Sequence, residues 1–142
     1  MVEWFQLTML VKDVMNTKPY FLQEEDTVLS ASKFMKQEKV RNLPVVDKNI
    51  KLVGLITLRE IIETVFLNPD KILVKDAMLK IVTSVEVDMP LKSAIETMLV
   101  NKYGCLPVID KDKKLIGMLT EADLLHTLYK FADLPQSLHK TT

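Results

Sequence analysis

The chain has 142 residues, of which 48% are hydrophobic and 27% charged, and its 19 basic residues balance 19 acidic ones. This composition is typical of a globular protein, and the neutral balance argues against nucleic acid or an acidic membrane as a partner. A single cysteine excludes an internal disulfide, and no apolar run is long enough for a membrane helix, so we expect a protein of the reducing cytoplasm.

The first predicted elements form a short series. An apolar segment at residues 1–10 is expected to be helical and to pack on a core or a partner chain rather than on a membrane. An extended run, KPYFLQ, leads to a helix whose apolar positions recur at helical spacing: Val28, Ala31, Phe34 and Met35. The runs LPVVD and KLVGLI, joined by a charged turn, predict a β-hairpin. A last helix is expected to bury Ile61, Ile62, Val65 and Phe66.

After a connector that contains Asn68 and Pro69, the same series returns. A shift of 63 residues aligns 11–65 with 74–128 without a gap, and it pairs VKDVM with VKDAM, LPVVDK with LPVIDK and KLVG with KLIG. The extended run is now IVTSVEV, and Pro90 suits the first turn of the next helix. Two apolar sets are expected to be buried: Leu91, Ala94, Ile95 and Met98, then Leu124, Leu125, Leu128 and Phe131.

The sequence therefore predicts the α/β class, in its α+β form, with two β-α-β-β-α repeats. The predicted units are an N-terminal segment at 1–10, repeats at 11–66 and 74–131, a linker at 67–73 and a tail at 132–142. One repeat is too small to cover its own apolar surface, so we expect the two to pack about a pseudo-twofold axis with clefts between them. The change from strand to helix at Thr57 and Thr120 is expected to face those clefts.

This doubled pattern resembles a tandem of cystathionine-β-synthase (CBS) domains, the pair called a Bateman module. The resemblance covers about residues 11–130 and is carried by VRNLPVVDKNIKLVGLITLREI and YGCLPVIDKDKKLIGMLTEADL. It implies that AMP, ADP, ATP or S-adenosylmethionine binds in the clefts as a regulatory ligand and that no cofactor serves catalysis. It also implies a disc-like homodimer formed through the final helices of the repeats.

Carried over position by position, the resemblance implies two sites. In each, the threonine and acid of one repeat work with the first strand and the pre-proline residues of the other. The first site comprises Met118, Thr120, Asp123, Tyr20, Val40, Arg41 and Asn42. The second site comprises Leu55, Thr57, Glu60, Thr83, Tyr103, Gly104 and Cys105.

The residue types of the first site suit an adenosyl ligand. The carboxylate of Asp123 can accept both hydroxyl hydrogens of a ribose. The Thr120 hydroxyl and the amides of a helix N-terminus can hold a phosphate, for which Arg41 supplies a fixed positive fork. Val40 and Tyr20 can enclose a flat purine.

Each of these residues also has a purely structural interpretation. Thr57 and Glu60 fit a capping box, in which the threonine caps a helix and the acid bonds back to the backbone. We favour capping for Glu60 and ribose binding for Asp123, because the extra methylene of glutamate displaces its carboxylate. Solvation or packing is the alternative role for four others: Arg41, Tyr20, Tyr103 and Cys105.

We predict neither a catalytic nor a metal site. His126 and His139 stand in no metal-ligand spacing, and the chain has no nucleophile elbow and no phosphate-binding glycine loop. The leading prediction is a stand-alone sensor of an adenosyl ligand that modulates an effector protein in trans. The alternative is a ligand-free structural or protein-interaction module.

Overall fold

A computed structural model of the chain describes residues 9–132. The first repeat contains a 3-10 turn and five elements: Val11–Asp13, then β1 (Leu22–Gln23), α1 (Val28–Glu38), β2 (Asn42–Val46), β3 (Leu52–Thr57) and α2 (Leu58–Glu63). The second contains α3 (Val74–Ala77), α4 (Leu91–Asn101), β4 (Cys105–Ile109), β5 (Leu115–Thr120) and α5 (Glu121–Phe131). Most of the predicted N-terminal helix and most of the predicted tail lie outside the described residues, and Leu10, which is described, is extended rather than helical. Between residues 9 and 132, no helix is long and apolar enough to cross a membrane.

The hairpins form as the alternation of apolar runs and charged turns predicts. β2 pairs antiparallel with β3, and β4 pairs antiparallel with β5. In the first turn, Asp47 Oδ1 accepts the amides of Asn49 at 2.8 Å and Lys51 at 3.0 Å. Asp110 Oδ1 accepts two amides in the same way in the second turn. The aspartate that follows each Pro-Val run therefore closes the hairpin.

The first strand of each repeat is shorter than predicted. β1 is only two residues long and runs parallel to β2. In IVTSVEV the expected strand is reduced to one bridge, between Val85 and Val108. The carbonyls just beyond these pairs are used elsewhere, because those of Glu24 and Val87 accept amides from residues 75 and 12, which open the opposite repeat. No longer ladder can therefore form.

Each core is completed by the opening segment of the other repeat. Val74 of α3 is fully buried in the first core, together with Leu22, Val28, Ala31, Met35, Leu43, Val45 and Ile56. Val11 is fully buried in the second core, together with Val85, Leu91, Ala94, Met98, Leu106, Val108 and Leu119. The helical apolar positions predicted for α1 and α4 thus face the cores. The exchange of opening segments was not predicted.

Contacts between the repeats are reciprocal under the 63-residue shift. The Leu52 amide donates to the Lys113 carbonyl, and the Leu115 amide donates to the Ile50 carbonyl, both at 2.9 Å. The bridge between Leu10 and Pro90 likewise has its counterpart between residues 73 and 27. Such exchanged pairs are what a twofold relation between two similar units produces, so the predicted pseudo-twofold packing is supported by the contacts themselves.

The final helices are a correction to the sequence-based prediction. Ile61 and Leu124 do pack against the cores. The other six positions expected to be buried are exposed: Ile62, Val65, Phe66, Leu125, Leu128 and Phe131. α2 ends at Glu63, so Val65 and Phe66 lie beyond it, and the side of α5 that carries Leu125 and Leu128 faces away from the core.

Candidate functional site

The start of α5 is built around a reciprocal pair, Thr120 and Asp123. Asp123 Oδ2 accepts the Thr120 amide and the Thr120 hydroxyl, both at 2.8 Å, and the Asp123 amide donates to Thr120 Oγ1 at 3.2 Å. These bonds form a capping box and fix the carboxylate at the helix start. Asp123 Oδ1 has no hydrogen-bond partner among residues 9–132, and no buried polar side-chain atom there is unsatisfied, so this oxygen is open to solvent.

The start of α2 has the same construction with a more buried acid. Glu60 Oε1 accepts the Thr57 amide and the Thr57 hydroxyl, both at 2.7 Å. Glu60 is only 7% exposed, whereas Asp123 is half-buried. Both acids therefore cap their helices, which the sequence favoured for Glu60 alone. The difference in burial leaves Asp123 the more accessible of the two.

Each strand end is bound to the chain segment that leads to the first strand of the other repeat. Met118 exchanges two backbone hydrogen bonds with Asn16, at 2.8 and 3.0 Å, four residues before Tyr20. Leu55 exchanges two with Leu79, at 2.8 and 3.0 Å, four residues before Thr83. The structure thus connects the two halves of each predicted site through a backbone bridge.

The pre-proline residues contact the end of the last strand and the helix start of their own repeat. The Arg41 carbonyl accepts the Leu58 amide at 2.9 Å, and Asn42 pairs with Thr57 in the β2–β3 ladder. Cys105 likewise pairs with Thr120. Within one repeat, therefore, these residues contact their own threonine. Across the axis, Asn42 Nδ2 lies 3.4 Å from the position that a Cβ on Gly104 would occupy.

The aromatic residues make polar and edge contacts within their own repeats. The Tyr20 hydroxyl donates to Glu38 Oε1 at 2.7 Å, and this bond, with the negative charge of Glu38, raises the pKa of Tyr20. The Tyr20 ring meets Phe34 edge-on, with centroids 5.1 Å apart. The Thr83 hydroxyl lies 3.3 Å from that of Tyr103. Val40 is half-buried beside α1.

Sequence reasoning missed Glu121, whose carboxylate lies beside Gly104. Its Oε1 is 3.3 Å from the position of a Cβ on Gly104, and its amide donates to the Gly104 carbonyl at 3.2 Å. An acid directly after the threonine was the available signal. An open depression of about 540 Å³ lies elsewhere and shares no residue with the predicted sites; it is lined by Ser84, Val85, Glu86, Asp88, Met89, Pro90, Ser93 and Ile109.

Comparison with protein-family models matches the CBS domain twice, at residues 11–66 and 74–130. The chain belongs to the CBS domain family. The resemblance inferred from the doubled motif is therefore confirmed, and so is the mixed α/β fold with two CBS repeats.

Relatives of the CBS pair include parts of larger enzymes. The chain is 36% identical over 116 residues to an inosine-5'-monophosphate dehydrogenase of Methanocaldococcus jannaschii, covering 82% of this chain and 22% of that protein. It is 32% identical over 121 residues to a homoserine O-acetyltransferase of Methanohalobium evestigatum, covering 85% of this chain and 24% of that protein. The chain thus spans less than a quarter of the length of these curated relatives.

Several solved structures share the fold closely. A putative acetoin utilization protein (AcuB) from Vibrio cholerae has a TM-score of 0.82 and 28% identity, with 92% of this chain and 98% of that chain covered. CBSX2 in complex with AMP has a TM-score of 0.78 and 27% identity, with 86% and 97% covered. The CBS domain pair of protein MJ0100, in complex with 5'-methylthioadenosine and S-adenosyl-L-methionine, has a TM-score of 0.75 and 25% identity, with 84% and 99% covered.

Because Cys105 of the second CBS domain is buried, we predict that the protein loses stability at alkaline pH. Burial, and then the charge of Glu121, raises the pKa of Cys105 from 9.0 to about 12. Below pH 9 the thiol is protonated in both the folded and the unfolded protein, and its full contribution to stability is present. As the pH rises from 9 towards 12, the thiol ionises in the unfolded protein first, so this contribution is lost. At pH 10.5 we expect the free energy of unfolding to fall by about 2 kcal/mol through this residue alone.

Urea denaturation at pH 7.5 and 10.5 measures this effect, with Cys105→Ala as the comparison. Lysines and tyrosines titrate in both proteins, so the difference between their pH-dependent losses isolates the thiol. The loss should be about 2 kcal/mol smaller in Cys105→Ala. Equal losses in the two proteins would show that the buried thiol does not control the pH dependence.

Proposed function

We propose that the chain is a non-catalytic regulatory module that binds an adenosyl ligand at the start of α5. The observation that carries this proposal is the state of Asp123. One carboxylate oxygen is fixed by Thr120, while the other is open to solvent and has no partner among residues 9–132. A carboxylate held in this way has little orientational freedom to lose when it accepts the two hydroxyl hydrogens of a ribose.

The solved structures of similar proteins support an adenosyl ligand. CBSX2 has been solved with AMP, and MJ0100 with 5'-methylthioadenosine and S-adenosyl-L-methionine. The adenosyl group is the part that these ligands share, and ribose recognition by Asp123 is independent of the group attached at the 5' position. The remaining residues proposed for this site are Met118, Thr120, Tyr20, Val40, Arg41 and Asn42, and the second site around Thr57 and Glu60 is proposed as the weaker one because Glu60 is nearly buried.

Calorimetric titration with AMP, ADP, ATP and S-adenosylmethionine tests the proposal. We expect at least one ligand to bind the wild-type protein, and Asp123→Ala to weaken it on the order of 100-fold, because two charge-assisted hydrogen bonds are lost. Asp123→Asn keeps the size of the side chain and can still accept at Thr120, so it separates loss of charge from loss of the helix cap.

Glu60→Ala is the matched control, since it removes the equivalent capping acid. It should cost about 1 kcal/mol of stability and remove at most the weaker second site, so the affinity of the site at Asp123 should stay nearly unchanged. Circular dichroism verifies that each variant is folded. If no ligand binds to folded wild-type protein, or if Asp123→Ala binds as tightly as the wild type, the proposed site is wrong.

We further propose that two chains associate through the final helices, and that a partner protein responds in trans to ligand binding. The exposed apolar residues of this region, called the final-helix surface, are Ile62, Val65, Phe66, Leu67, Leu125, Leu128, Tyr129 and Phe131. A contiguous patch of exposed apolar residues marks an interaction site more often than free surface. The same surface favours the second candidate function, a ligand-free interaction module, which failure of the titration would support.

A further inference from the structure

Glu121 is the first residue of α5, next to Thr120, whose hydroxyl is proposed to meet the 5' phosphate of a nucleotide. It directly follows Thr120, and its carboxylate lies over Gly104, which has no side chain to separate it from the space between the repeats. Asn42 of the other repeat points at the same position. The Glu121 carboxylate and the Asn42 amide therefore both lie beside Gly104.

The first repeat has no such acid. The positions equivalent to Glu121 and Gly104 under the 63-residue shift are Leu58 and Arg41. Only the start of α5 therefore carries two acids, Glu121 and Asp123, in its first turn. Among residues 9–132, no ion pair neutralises either of them. The two starts differ in charge although their backbones correspond.

The helix start at α5 is also poorly prepared for a phosphate. Two of its first three amides are occupied, because that of Glu121 donates to the Gly104 carbonyl and that of Asp123 to Thr120 Oγ1. The positive end of the helix dipole is offset by the two carboxylates. Arg41, the base proposed for this site, has an exposed side chain that no ion pair among residues 9–132 fixes at the start of α5.

From this arrangement we infer that Glu121 is a specificity-determining residue. It makes the site at Asp123 select adenosyl ligands whose 5' group is neutral or cationic over those that carry phosphate. This inference rests on the proposed function, since it concerns the same site. A phosphate within several ångströms of the Glu121 carboxylate is repelled, and near a protein surface that repulsion is worth on the order of tenfold in affinity or more.

The test compares two ligands that share the adenosyl group and differ only in the substituent at the 5' position, the neutral 5'-methylthioadenosine and the dianionic AMP. Both are titrated into the wild type, Glu121→Gln and the control Glu96→Gln, which removes an equal charge from an exposed position on α4. We expect the wild type to prefer 5'-methylthioadenosine. Glu121→Gln should tighten AMP on the order of tenfold and change 5'-methylthioadenosine less than about threefold. Glu96→Gln should change neither.

Salt provides a second readout that a purely structural role would not move. Raising the salt concentration screens the repulsion, so the preference for 5'-methylthioadenosine should narrow more in the wild type than in Glu121→Gln, which keeps only the charge of Asp123. The inference is overturned if the wild type prefers AMP, or if Glu121→Gln changes the affinities for both ligands equally. Either result leaves the proposed function intact. Binding that persists in Asp123→Ala, or no binding of either ligand or of the wider panel, overturns both.

Discussion

Replacing Gly54 by alanine is expected to lower the free energy of unfolding by about 2 kcal/mol, which corresponds to a fall in melting temperature on the order of 5 °C. A Cβ at this position would overlap Met78 Sδ and lie 2.9 Å from the Leu79 carbonyl oxygen. The sulfur can move, but the carbonyl belongs to the bridge between Leu79 and Leu55. The methyl group therefore forces the segment after α3 away from β3.

The two other glycines make this prediction specific. Gly117 is the pseudo-twofold equivalent, with the Asn16 carbonyl oxygen 2.9 Å from its Cβ position, so Gly117→Ala should cost a similar amount. At Gly104 the nearest atoms are ends of flexible side chains at 3.3 and 3.4 Å, and Gly104→Ala should be nearly neutral. No glycine has a positive φ, so backbone conformation does not distinguish them. Equal losses in all three variants, measured by thermal unfolding, would contradict the argument from contact.

Local features of the fold were predictable because they depend on nearby residues. The spacing of Val28, Ala31 and Met35 identifies the buried side of α1 without reference to the rest of the chain. The aspartate and threonine positions identify the hairpin turns and the helix starts for the same reason. The repeat then doubles each of these signals, which is why the order of elements could be predicted for both halves.

Features that depend on the other half of the chain were not predictable in this way. VKDVM and VKDAM each contain a valine that is buried in the opposite repeat, and nothing in five residues specifies which core receives it. Glu121 was overlooked for a similar reason. Its position over Gly104 depends on the pairing of β4 with β5, and the approach of Asn42 depends on the packing of the repeats.

The exposure of the final helices shows a further limit of periodicity. A stripe of apolar residues indicates that a helix side is covered, but it does not indicate whether the same chain or another one covers it. In α2 and α5 only part of the apolar stripe is covered by the chain itself. Ile61 and Leu124 contact the cores, while the residues of the final-helix surface remain exposed. The prediction of burial was thus wrong for the single chain, and it remains a prediction for an assembly of two.

Replacing Phe66 by aspartate is therefore expected to weaken the dimer that we propose for the wild-type chain. Phe66 is 98% exposed, so the substitution removes no contact that stabilises the single chain. In a dimer formed through the final-helix surface, an unpaired carboxylate would be buried against apolar residues, and the dissociation constant should rise on the order of 100-fold. Sedimentation velocity across a micromolar concentration range measures the change.

Ile81→Asp is the matched control, because Ile81 is equally apolar and 97% exposed but lies in the segment between α3 and α4. It introduces the same charge with the same small effect on the folded chain, and it should leave association unchanged. A wild type that sediments as a monomer throughout the range would refute the dimer. If both substitutions dissociate the dimer, either the interface lies away from the final helices or the added negative charge itself opposes association. Dissociation by Phe66→Asp alone would identify the final-helix surface as the place where a second chain supplies the covering that the repeats lack.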